Sequence, residues 1–239
     1  MKIALASAKF INNDISYNLS QIKKYALLSK ERNADLVCFG ESFLQGFDCL
    51  CWNYEKDKEV ALELSSPVIL SLCQFSQAIG IDLMFGLIER ESDRLYSSCV
   101  LISNGKILHN YRRISHGWKE YSITDFHYCE GESPKPFLYR GKQCLIGLCG
   151  DLWEFPQQFE LGEDVLFWPV YVNFSLSDWK TTYLSEYIDH SKQFSCDVLM
   201  INSVSENPDA FGGCFHLNNG VAKNSLDFGQ EGLLIVELP

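Results

Sequence analysis

Leu145-Ile-Gly-Leu-Cys-Gly-Asp-Leu-Trp153 runs from an apolar strand into a turn, and Cys149 sits where the one becomes the other. A strand end holds a side chain rigidly while exposing it to a cleft, and open α/β proteins place their chemistry at such ends. Gly150 lets the backbone bend and leaves an N–H for a developing oxyanion. A free cysteine also packs as a small hydrophobe, and the chain has 10 of them. What singles out Cys149 is the rest of the sequence.

Upstream, Lys2 to Ala8 alternates as a first strand, and Leu19, Ile22, Ala26 and Leu27 recur at helical spacing within Asn18 to Arg32. Asp35 to Phe39 is a short apolar strand that delivers Glu41. Ser65 and Ser66 before Pro67 start a helix that Gly80 stops. The order strand, helix, strand, helix suits a parallel arrangement. The rhythm then changes: Ile81–Ile88, Tyr96–Ile102 and Lys106–Tyr111 are strands on short connections, with Asn104-Gly105 as a hairpin signal. Strands follow at Pro136–Tyr139, Gln143–Leu148, Val165–Val170 and Val198–Val204, with a short helix near Phe155. A long helical stretch covers Ser177 to Ser195, its N-cap assigned to Ser177. A hairpin about Asn218-Asn219-Gly220 and a strand at Leu233–Val236 complete the reading. No repeat or linker divides residues 1–239, so a single domain with two mixed sheets covered by helices is expected.

Composition narrows the function classes. A net charge of -11 argues against nucleic acid or an anionic membrane as partner. The apolar start is broken by Lys9 and followed by Asn12, Asn13 and Asp14, unlike a signal peptide. Without an export signal, reduced thiols and a cytoplasmic location are expected. The cysteines and the five histidines show no C-x-x-C pair and no H-x-x-x-H spacing, so no zinc site is expected.

Three strand ends carry reactive groups: Glu41, the doublet Arg112-Arg113 with the following Gly117-Trp-Lys-Glu120, and Cys149. A carboxylate, a cation and a thiol are what acyl transfer by cysteine requires. A thiol with pKa near about 8.5 needs a base at neutral pH, and each oxyanion donor contributes about 3 kcal/mol. Taken singly, each group has an ordinary reading too: Glu41 as a cap or ion-pair partner, the arginines as a solvated pair, and Lys119-Glu120 as an exposed charge pair.

These segments, in this order, resemble the nitrilase (carbon–nitrogen hydrolase) superfamily, whose catalytic set is Glu, Lys and Cys. Glu41, Phe43, Gly46 and Phe47 match its first motif; Gly86, Glu89 and Tyr96-Ser-Ser98 echo its middle strands. Cys149, Asp151, Trp153, Phe155 and Pro156 match the nucleophile motif. Glu163 to Pro169, Ile201-Asn202 and Phe211-Gly-Gly213 match later positions. The resemblance implies an α/β fold, an α-β-β-α sandwich of four layers that pairs into an eight-layer homodimer. It implies a hydrolase of a small amide or N-carbamoyl compound that needs no cofactor and acts through a Cys149 thioester, with Glu41 as base and Glu120 as the second glutamate of the amidases. Gly150 and Trp153 are expected to line the substrate. Gly-Asp after Cys149, in place of Cys-Trp-Glu, points to an amidase rather than a nitrile-cleaving enzyme. One position departs from the pattern: the family lysine falls on Arg113, in Tyr111-Arg-Arg113. Either Arg113 or Lys119 supplies the positive charge, and the swap leaves open a nitrilase-like protein that only binds a small molecule or partner. Transfer of the acyl group to an amine is a lesser alternative.

Overall fold

The structure is a computed structural model and describes residues 1–160 and 162–239. Two six-stranded sheets lie face to face. The first contains β1 (Lys2–Ser7), β2 (Leu36–Cys38), β3 (Asp82–Glu91), β4 (Arg94–Ser103), β5 (Lys106–Arg112) and β14 (Gly232–Glu237), in the order β14-β1-β2-β3-β4-β5. The second contains β6 (Phe137–Tyr139), β7 (Lys142–Ile146), β8 (Val165–Val170), β9 (Asp197–Asn202), β12 (Cys214–Asn218) and β13 (Val221–Leu226), in the order β13-β12-β9-β8-β7-β6. Strands β1, β2 and β3 are parallel, as are β7, β8 and β9, and the pairings to either side of them are antiparallel.

Strand period separates the layers. On β1, Ile3 and Leu5 join the core shared with the second sheet, whereas Ala4 and Ala6 face the helices α1 (Ile15–Glu31) and α3 (Pro67–Ile79). Small alanines there leave room for Ile22, Tyr25 and Ala26 of α1. On the second sheet Trp168 stacks on Tyr187 and Phe215 meets Trp179, so these rings pack against the opposite helical layer. The expected α-β-β-α sandwich is therefore the architecture found.

Helix ends follow their local chemistry. Asp14 accepts from the Tyr17 N–H at the start of α1; Ser66 caps α3, and Gly80 ends it in the left-handed region at φ 66. Three expectations need correction. The Ser177–Ser195 stretch is capped by Ser175, whose Oγ accepts from the Asp178 N–H and donates to its carboxylate. Nor is the stretch uniform: α5 (Leu176–Asp178) passes through a π turn at Trp179–Tyr183 into α6 (Leu184–His190), then a 3₁₀ turn. The strand expected to reach Val204 stops at Asn202, whose side chain bonds the backbone of Val172 and Gly212 instead. Beyond it β10 (Val204–Glu206) and β11 (Asp209–Phe211) form a separate hairpin. A helix without an apolar stripe, α2 (Tyr54–Val60), escaped the sequence reading; α4 (Asp151–Glu154) is the short helix expected near Phe155. No helix among the described residues is long and apolar enough to cross a membrane.

Candidate active site

Glu41 lies three residues beyond β2 and is fully buried. Its N–H donates to the Val170 carbonyl at 3.3 Å, which ties the end of the first sheet to the end of the second. The turn that carries it needs space from below. A methyl group added at Gly86 of β3 would lie 2.3 Å from the Ser42 N and 2.8 Å from the Glu41 carbonyl carbon. One carboxylate oxygen, Oε1, accepts from Ser97 Oγ and from Arg113 Nη1, each at 2.9 Å. The other, Oε2, is buried and has no hydrogen-bond partner among the described residues.

Arg113 follows β5 directly, and its backbone continues the ladder by donating to the Ser97 carbonyl at 2.8 Å. Strand period splits the arginine doublet. Arg112 turns away to Glu89 and Glu91, while Arg113 turns inward and is 3% exposed. The guanidinium holds Glu41 by Nη1 and donates from Nε to Ser115 Oγ at 2.7 Å. Burial opposes its charge, but Glu41, Cys149 and Asp151 hold its pKa above the ordinary arginine value. The reading of the doublet as a solvated pair is overturned for Arg113.

Cys149 occupies the left-handed region at φ 43, a conformation that a residue other than glycine adopts at a cost. Its N–H donates to the Pro169 carbonyl at 3.0 Å, and its carbonyl accepts from Trp168 Nε1 at 2.9 Å. Glu41 and Cys149 thus hang on consecutive residues, Val170 and Pro169. Burial is the main force on the Cys149 thiol and Glu41 adds to it; Arg113 pulls the other way, and the net result is a pKa pushed up to about 12. The resting group is a thiol, so its proton has to leave as it attacks.

Asp151, fully buried, locks two of these segments together. Oδ1 accepts from the backbone N–H of Ile114 and Ser115, and Oδ2 from Leu148 N–H and Tyr111 Oη. It joins the turn that carries Arg113 to the turn that carries Cys149.

Of the other sequence candidates, Gly150 adjoins the cluster and the rest lie elsewhere. Lys119 is not brought to the cluster: its ammonium sits 2.7 Å from Glu130 Oε1, donates to the Tyr128 carbonyl, and lines a cleft of about 540 Å³ with Arg94, Tyr121 and Phe126. Glu120 is exposed, and its carbonyl accepts from Thr124 Oγ1. Trp153, 40% exposed, stacks on His190 at 3.8 Å beside Trp168 and Tyr187. Gly150 adjoins the Arg113 guanidinium, and its N–H has no acceptor among the described residues. Sequence reasoning missed Ser97 as a Glu41 ligand, Ser115 as the Nε acceptor, and the roles of Asp151 and Tyr111. Alternation on β4 was the available signal for Ser97, since Ser97 and Ser98 must face opposite sides; Ser98 indeed binds Glu89.

Known proteins resemble this chain in sequence and in fold. The family described as carbon-nitrogen hydrolase matches residues 2–157. An (R)-stereoselective amidase from Pseudomonas sp. is 24% identical over 213 residues, 87% of this chain and 73% of that protein. A glutamine-dependent NAD(+) synthetase from Acinetobacter baylyi is 25% identical over 155 residues, and the match covers 64% of this chain and only 27% of the synthetase. Among solved structures, an amidase from Nesterenkonia sp. AN1 with acrylamide added at its active-site cysteine superposes with a TM-score of 0.81 at 20% identity. That superposition covers 100% of this chain and 93% of the amidase. The chain belongs to the carbon–nitrogen hydrolase family, within the nitrilase superfamily.

Proposed function

We propose that this chain hydrolyses the carbon–nitrogen bond of a small linear amide or N-carbamoyl compound through a thioester on Cys149. The observation that carries this reading is the convergence of a buried Glu41–Arg113 pair and the half-buried Cys149 on neighbouring backbone groups of β8. Glu41 takes the Sγ proton as the sulfur attacks the carbonyl carbon. The Gly150 N–H and the Arg113 guanidinium hold the resulting oxyanion. Glu41 returns the proton to the departing ammonia or amine, then deprotonates the water that cleaves the thioester. Preference for Arg113 over Lys119 rests on their partners: Glu41 for the first, Glu130 for the second. Preference for an amide over a nitrile rests on Gly150-Asp151 after the nucleophile and on the amidases among the relatives. By the same likeness we take the functional unit to be a homodimer, which light scattering tests.

Ammonia release is measured across short aliphatic amides, N-carbamoyl amino acids and glutamine, the last because two relatives are glutamine-dependent. Intact mass spectrometry under the same conditions detects the acyl-enzyme. The reading requires turnover that Cys149→Ala abolishes without loss of fold. A folded protein that yields neither ammonia nor a Cys149 adduct with any of them sinks it, and a small-molecule-binding protein takes its place. That second reading has one observation behind it: arginine stands where the family places lysine.

A further inference from the structure

Gly150 and Gly117 face the same atom. A methyl group added at Gly150 would stand 2.7 Å from Arg113 Nη2, and one added at Gly117 would stand 2.9 Å from it. Neither glycine needs its freedom of backbone. Gly150 has φ -66, which any residue adopts, and Gly117 is not among the positive-φ glycines. The missing side chains are therefore a matter of space. The guanidinium between them has little room to yield. Nη1 is tied to Glu41 and Nε to Ser115, both fully buried, and Ser115 Oγ itself lies 3.1 Å from the same added methyl at Gly150. Of the three nitrogens only Nη2 has no acceptor among the described residues. It also adjoins the residue directly after Cys149.

An ammonium on a lysine stem carries a single nitrogen and cannot reach Glu41, Ser115 and a third direction with the rigid fork of arginine. We propose that Gly117 and Gly150 are positioning residues that form a slot for Nη2, and that Ser115 fixes the guanidinium within it. The slot adapts this site to arginine and leaves Nη2 as the donor to the substrate oxygen. The part played by Nη2 rests on the hydrolase reading above; the slot does not.

A double-mutant cycle between Gly117→Ala and Arg113→Lys tests the inference. Gly117 is an exposed loop residue, so the alanine variant is compatible with folding. Two properties are followed, melting temperature and the rate of Cys149 alkylation by iodoacetamide across pH, and neither requires turnover. With arginine present, Gly117→Ala is expected to lower the melting temperature by roughly 3–8 °C through overpacking, and to slow alkylation as the guanidinium is displaced from the thiol. In the Arg113→Lys protein the same substitution is expected to change neither, because no second nitrogen meets the new methyl. Equal effects in the two backgrounds, or none in either, overturn the slot. Gly150→Ala approaches from the opposite wall, but its methyl also meets Ser115 Oγ at 3.1 Å and Glu154 Oε1 at 3.3 Å, so part of its effect is expected to persist in the lysine protein. Where a substrate is in hand, Gly117→Ala reduces kcat on the order of 10- to 100-fold in the arginine protein. Absence of turnover in every variant alongside a coupled cycle would refute the hydrolase reading and leave the slot standing.

Discussion

Arg113 and Glu41 meet where water is nearly excluded, and each is the other's principal charge partner. A buried pair contributes little beyond an apolar pair of the same shape, but losing one partner strands the other. Arg113→Met is accordingly expected to cost about 3–5 kcal/mol in urea denaturation; a loss below about 1 kcal/mol would show that solvent reaches the pair. Glu41→Gln keeps an oxygen for Ser97 and Nη1, so it should unfold less readily than Arg113→Met while abolishing proton transfer. For Cys149, a pKa pushed up to about 12 means that the thiol predominates through neutral pH. Its alkylation by iodoacetamide should climb with pH without a plateau below about pH 11. Arg113→Gln removes the one charge that lowers this pKa, so the rate at each pH below the plateau should fall. A plateau near about pH 7 would instead reveal a thiolate formed before substrate arrives.

At the scale of elements, four strand ends hold the site, and Asp151 is the tie between two of them. Its carboxylate satisfies three backbone N–H groups and the Tyr111 hydroxyl, all away from water. Asp151→Ala leaves these donors unpaired at once and is expected to cost about 3–5 kcal/mol. Asp151→Asn turns one acceptor into a donor aimed at other donors, so rescue should be partial. Tyr111→Phe, which removes a single bond, should cost only about 1 kcal/mol. A ranking in which Asp151→Ala and Tyr111→Phe cost the same would show that the backbone N–H groups find other partners. Glu41 is supported in another way, through space: β3 can pass beneath its turn because position 86 has no side chain.

Across the whole molecule, the edges of the two sheets meet where His109 of β5 stacks on Phe137 of β6 at 4.2 Å. Burial lowers the pKa of His109 from 6.5 to about 4. The folded state therefore prefers the neutral ring, and the unfolded chain takes up this proton first as pH falls. Stability from this residue is complete above the unfolded value of 6.5, declines as pH falls toward about 4, and changes no further below it. His109→Gln should narrow the gap between melting temperatures measured on either side of that window. An unchanged gap would mean that the ring is solvated in solution.

Much of this organisation is local in origin. Alternation within β1 separates the alanines facing α1 from Ile3 and Leu5 facing the second sheet, and Ser66-Pro67 and Gly80 bound α3 without help from distant residues. Glu41, Cys149 and the arginine doublet were legible as strand-end groups because turns follow apolar runs. What tertiary structure alone decided was which cation is present. Arg113 and Lys119 are six positions apart and equally charged, and although the family lysine falls on Arg113, the sequence leaves both open. The choice arises because the inward face at the end of β5 opens onto Glu41, 72 residues away in sequence, while Lys119 folds back toward Glu130. Pairing over such a distance depends on the register of strands from β2 to β5. The roles of Ser115 and Asp151 as polar partners were hidden for the same reason: serine and aspartate are ordinary in turns, and only burial beside a charge makes them matter.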